Sequence, residues 1–172
     1  MENKGELKLS KLERLVLANQ YRILEKLYPE EADYYEANRK AIESGFELHY
    51  EDCFSALSED ELTSKECEEV LDILSMYRAI TFSNRDNKVE EYYVEFRGFD
   101  LNDEYEGKRV MYARYFINDL DRFTELKYGN SYADCNSHAK TMEKYRRMLS
   151  VWESMDDQNN LDKEEILKIV NA

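Results

Sequence analysis

His49 and Cys53 stand four residues apart, a spacing that puts an imidazole and a thiol on one helix face, with Glu47, Glu51 and Asp52 beside them. A thiolate next to an imidazolium has a lowered pKa, which makes Cys53 the chain's candidate nucleophile. The same segment can be read through its oxygens: His49, Glu51 and Asp52 are donor types a metal-assisted hydrolase would use. Cys135-Asn136-Ser137-His138 supplies a second Cys/His pair, and two such pairs have the ligand types of a tetrahedral zinc site. The spacing argues against zinc, because the pairs lie about eighty residues apart and neither contains a C-x-x-C knuckle. No D-x-D-x-D-G loop, H-E-x-x-H or E-x-x-H pair occurs to make carboxylates converge on a cation. No catalytic residue, cofactor or metal is therefore assigned, and His49, Glu51, Asp52 and Cys53 stand as the chemistry candidates.

The elements that must position them are helical. One proline and five well-separated glycines in 172 residues leave little of the turn chemistry that sheets need, and no clustered glycines to cradle a phosphate. Ser10-Lys11-Leu12-Glu13, Thr63-Ser64-Lys65-Glu66 and Asp162-Lys163-Glu164-Glu165 have the form of capping boxes and mark three helix starts. After the first, Leu12, Leu15, Val16, Ile23, Leu24 and Leu27 recur at helical spacing as the expected core stripe. Pro29 then separates that helix from a second, which Gly45 stops. After Thr63, Cys67, Val70, Leu71, Leu74 and Tyr77 predict a central, mostly buried helix. Further helices are expected at 103–127, 138–154 and the C-terminus. YYVEF at 92–96 alternates like a strand, so one short β-ribbon is allowed. The expected architecture is all-α: an N-terminal hairpin over residues 1–50, packed on a helical body over 51–172.

Charge and thiols bound the partners. The net charge is −14, and residues 30–72 hold fifteen Asp and Glu against Arg39, Lys40 and Lys65. An acidic chain repels phosphate backbones, so nucleic acid is disfavoured despite fourteen tyrosines and Arg109, Arg114, Arg146 and Arg147. Tyr112, Tyr115 and Tyr145 fall on core stripes, and the tyrosines read as inward-packed with their hydroxyls hydrogen-bonded. The acidic run is a solvated surface or a docking face for a protein with a basic surface. Three cysteines at no framework spacing fit reduced thiols in a cytoplasm, and the charged start MENKGELKLSK does not read as a secretory signal. No apolar run approaches the ~18 residues of a membrane span.

Asn19 interrupts the first apolar stripe, in line with Leu12, Val16 and Ile23, where a single amide can fix register and oligomeric state. Met148 and Met155 flank Trp152, residue types that suit interfaces as well as cores. Asn19, Met148, Trp152 and Met155 are the interaction candidates.

Five stretches, ERLVLANQYRIL (13–24), DILSMYRAITFS (72–83), FRGFDLNDE (96–104), EKYRRMLSVW (143–152) and EEILKIVNA (164–172), resemble the YfbU family of small bacterial proteins in order along nearly the whole chain. The resemblance implies an all-helical fold, a hairpin beside a larger helical part, and self-association; it implies no reaction. The reading that follows is a non-enzymatic cytoplasmic interaction or regulatory module that forms homo-oligomers. A metal-assisted hydrolase around residues 47–52 and a nucleic-acid-linked regulator are the alternatives.

Overall fold

A computed structural model describes residues 7–58 and 60–172; the charged residues 1–6 and Glu59 of the acidic run lie outside the described residues. The chain is all-α and falls into two compact units, one ending at Glu61 and one spanning Leu62–Ala172.

The first unit is a helical hairpin. Helix α1 (Lys11–Leu27) opens with a complete capping box: Glu13 N–H donates to Ser10 Oγ at 3.3 Å, and Ser10 N–H donates to Glu13 Oε2 at 2.8 Å. Pro29 opens a short 3₁₀ turn, and α2 (Ala32–Ser44) returns alongside α1. Gly45 ends α2 in the left-handed region at φ +76°, with Phe46 N–H reaching back to Ala41 O. Arg14 closes the same end from α1, donating to the carbonyls of Ile42 at 2.8 Å and Glu43 at 2.9 Å. Arg39 of α2 pairs with Glu25 and Glu43. Two 3₁₀ turns, Glu47–His49 and Glu51–Phe54, bring Tyr50 under the hairpin. Among the described residues the enclosed core of this unit is Ala18, Tyr21, Ile42 and Tyr50.

The second unit is built around α3 (Ser64–Asn87), which starts at the Thr63 capping box and buries Val70, Ile73, Leu74, Met76, Tyr77 and Ile80. Around it lie α4 (Glu104–Arg114), α5 (Met142–Glu153) and α6 (Lys163–Val170), the last started by the Asp162 capping box. Tyr77, Phe96, Phe99 and Tyr145 form an aromatic cluster with ring centroids 5.3–5.9 Å apart.

Two sequence expectations change here. YYVEF forms no strand: Tyr92–Val94 is a 3₁₀ turn in which Val94 N–H bonds back to Glu91 O, and tyrosine hydroxyls take the amides of Phe96 and the following Arg97. Phe96 N–H donates to Tyr128 Oη at 2.7 Å, and Arg97 N–H to Tyr145 Oη at 3.3 Å. The ladder bonding recorded among the described residues is an isolated bridge between Phe99 and Asn136. Gly98 permits it, standing at φ +86° where a Cβ would lie 2.1 Å from the Cys135 backbone. The helix expected over 103–127 also ends early. After Arg114 the chain widens into a π-turn over Tyr115–Asp119, and Phe123 turns left-handed at φ 51°. Asn118 holds that break with both ends of its side-chain amide: Nδ2 donates to Ala133 O and Oδ1 accepts from Ala133 N–H, each at 2.9 Å.

Candidate interaction surface

The chemistry candidates lie on the rim of the first unit. His49 Nδ1 is 3.3 Å from Asp52 Oδ2, and both side chains are largely exposed. Cys53 Sγ donates to the carbonyl of His49 at 3.7 Å, not to its ring, and Glu51 faces solvent. The spacing thus brings His49 to Asp52 and leaves the thiol without an imidazole partner. In the second unit, Cys135 is buried and burial pushes its thiol up to about 12, far from the thiolate a metal or nucleophile requires. Its neighbour His138 is exposed and contacts Asn136 at 3.3 Å. No group of three or more His, Cys, Asp or Glu side chains with the arrangement of a metal site occurs among the described residues.

The interaction candidates divide. Met148 is fully enclosed and accepts from Tyr77 Oη at 3.8 Å; Trp152 is buried, donating its indole N–H to Gln158 O at 2.9 Å; Met155 packs half-buried against the same core. These three hold the second unit together from inside. Asn19 is exposed, where the sequence reading expected a buried amide.

The reason is that α1 is apolar on two faces. Ala18 and Tyr21, with the partly buried Leu17 and Leu24, meet α2 and Tyr50. At 100° per residue, Leu12, Val16, Asn19, Ile23 and Leu27 fall in an arc of about 80° on roughly the opposite side. These leucines, the valine and the isoleucine remain 50–70% exposed, as does Leu15 at the edge of the arc. The stripe that looked like core is therefore the uncovered face. Small and aromatic residues, which score lower on hydrophobicity, make the contact with α2, because Ala18 lets the helices approach and Tyr21 spans the gap. An apolar row of this length outside a core marks an interaction surface more often than it marks anything else.

The acidic run contributes a different surface. A cleft of about 690 Å³ in the second unit is lined by Glu66, Glu68, Glu69, Asp72 and Glu153, with Arg146 and Tyr105 on its wall. Burial, then the neighbouring Glu68 and Glu69, push the Asp72 carboxyl above its ordinary value. Glu66 moves the other way: hydrogen bonds from Thr63, then the Arg109 guanidinium, hold it at about 2. The arginines singled out for nucleic acid are engaged within the protein. Arg109 is 1% exposed and pairs with Glu66 at 3.0 Å and Glu69 at 3.6 Å, stacked 3.7 Å over the Tyr105 ring. Arg114 pairs with Asp134, Arg146 with Glu69, and Arg147 donates to Ala172 O.

Sequence reasoning missed the buried charges. Glu106 is 3% exposed and accepts from the backbone amides of Asp100, Thr141 and Met142 at 2.9–3.1 Å. It thereby serves as the N-terminal cap that α5 lacks, since Thr141 makes no side-chain capping bond there. The available signal was the spacing of Glu106, Val110, Ala113 and Ile117, which sets the glutamate in line with a core stripe.

Comparison with known proteins covers the whole described fold. The family model for the YfbU domain matches residues 7–172. The UPF0304 protein MJECS11 of Methanocaldococcus jannaschii is 37% identical over 172 residues, spanning 95% of this chain and 99% of that protein.

Proposed function

The chain belongs to the YfbU family, and from that premise we propose that it is a non-enzymatic protein-interaction or regulatory module of the cytoplasm that self-associates. The uncovered face of α1 carries this reading: five large apolar side chains are held in register on a capped helix, at the water-facing side of a thin core. Leaving them in water gives up about 25 cal/mol for each Å² of apolar surface, a cost recovered when a partner covers them. The acidic cleft of the second unit supports a second contact, with a protein that offers a basic surface. Free thiols at Cys53, Cys67 and Cys135 support a reducing compartment. Among the described residues no helix is long and apolar enough to cross a membrane.

The hydrolase alternative rests on the contact between His49 and Asp52. It requires that a divalent metal raise the thermal midpoint and that His49→Ala abolish the shift.

Sedimentation equilibrium across a hundredfold concentration range tests the main reading. The expected result is a weight-average mass that rises with concentration above that of one chain. A monomer throughout would remove self-association from the proposal.

A further inference from the structure

We infer that the partner covering α1 is α1 of a second copy, laid antiparallel about a two-fold axis that passes between Asn19 and Gln20. This rests on the self-association proposed above and specifies its geometry.

The argument is the mirror symmetry of the exposed row. Counted from the midpoint between residues 19 and 20, Leu12 lies as far out as Leu27, Val16 as far as Ile23, and Asn19 as far as Gln20. All six are exposed and share one side of a helix that runs Lys11–Leu27, so this midpoint is also close to the centre of α1. A parallel pair matches any stripe with itself and has no use for such symmetry. A two-fold antiparallel contact requires it, because each residue must find its mirror position on the other subunit. Superposed that way, Leu12 of each copy meets Leu27 of the other and Val16 meets Ile23. The two helix dipoles then oppose.

The polar residues then have a place. Asn19 and Gln20 of the two copies meet at the axis, where each primary amide can donate to and accept from the other. A shift by one turn would bury those amides against leucine, so the central pair fixes the register. At the edge, Leu15 lies between Arg22 and Lys26 of the second copy, whose aliphatic stems can cover it while their charges reach water. The surface is also available: Arg22 is already paired with Glu43, and Asn19 has no bond in the described structure that association would break. A helix of 17 residues is about 25 Å long, so this single pair makes a small interface that dissociates on dilution.

Cysteine cross-linking reads the geometry, in a background with Cys53 and Cys67 replaced by serine. Under mild oxidation Asn19→Cys should form a covalent dimer. Leu12→Cys alone should not, since its two copies would lie fifteen positions apart along the pair, about 22 Å. A mixture of Leu12→Cys and Leu27→Cys should cross-link as the heterodimer. Ile23→Glu, checked for helicity by circular dichroism, should weaken association roughly 30-fold or more.

Efficient self-linking by Leu12→Cys would mean a parallel pair and overturn the inference. A dimer in which no α1 cysteine cross-links would also overturn it, while leaving self-association through another surface intact. Protein that stays monomeric at every concentration overturns both readings. In that case, protection of Leu12→Cys from a maleimide reagent would place the row against another part of the same chain.

Discussion

Among the described residues the first unit encloses a core cluster of four side chains beneath two helices, whereas the second packs aromatic and aliphatic neighbours around the middle of one long helix, α3. Each begins its first helix with the same device, a serine or threonine answered by a glutamate three residues on. Local stability signals are thus alike, and the difference lies in what the apolar residues face. Small units cannot enclose much: a chain of ~60 residues removes only about 60% of its surface from water on folding. The hairpin compensates with charged contacts, Arg14 on the end of α2 and Arg39 between Glu25 and Glu43, and keeps its best apolar row outside. The second unit buries two charges, Glu106 on backbone amides and Arg109 between Glu66 and Glu69. Where apolar residues stay out and charges go in, the apolar row is free to serve a partner and the charges serve the fold.

Gly98→Ala should break the second unit most severely. The added methyl would fall 2.1 Å from the Cys135 backbone, and the bridge between Phe99 and Asn136 would have to open. A loss above about 4 kcal/mol is expected in urea titrations, or failure to accumulate folded protein. Arg109→Ala should follow, costing about 3–5 kcal/mol, because Glu66 and Glu69 lose the cation buried beside them. Arg109→Met, which refills the volume, should recover much of that loss; equal losses for both variants would deny the charge any role.

The matching glycine of the first unit should matter less. Gly45→Ala meets only the end of the Arg14 side chain, at 3.2 Å, and should cost about 1–2 kcal/mol for its left-handed backbone. A loss as large as that of Gly98→Ala would show that the two units do not differ as described.

Acid should act on the start of α3. The folded Glu66 carboxyl sits at about 2 against an ordinary value of 4.5, so its contribution is whole above 4.5 and fades as pH falls toward 2. The gap in thermal midpoint between the native chain and Glu66→Gln should therefore close between pH 6 and pH 2. A gap that stays constant would show that shape, not charge, is what the position supplies. Smallest of all, Leu15→Ser should leave monomer stability within about 0.5 kcal/mol, measured at a dilution where association is absent. A larger loss would mean that the row belongs to a core after all.

The helix starts at Ser10, Thr63 and Asp162 were legible because a capping box needs only four neighbouring residues. The buried stripe of α3 was legible because Val70, Leu74 and Tyr77, widened by Ile73, Met76 and Ile80, recur at helical spacing. On α1 the periodicity was real, but periodicity names a face without saying what lies opposite. The choice between its two faces is made by Ala18 and Tyr21 against α2, a contact no single helix reveals. YYVEF alternates as a strand should, yet its last amide and the next one, of Arg97, are met by Tyr128 and Tyr145, thirty and more residues away. The break after Arg114 depends on Asn118 finding Ala133. The apolar row was legible in composition and illegible in exposure: Leu12, Val16, Ile23 and Leu27 read as core and stand at the surface, whereas Met148 and Trp152, read as interface types, lie inside.

Helices α1, α3 and α6 carry their own start signals, whereas α5 takes its start from Glu106 on α4. A change at Ser10, Thr63 or Asp162 is a private matter for one helix, and the chain can drift there one residue at a time. Position 106 has no such freedom. Its carboxylate also holds the amide of Asp100, next to the bridge that Gly98 makes room for, so α4, α5 and the 98–100 turn must vary together or not at all.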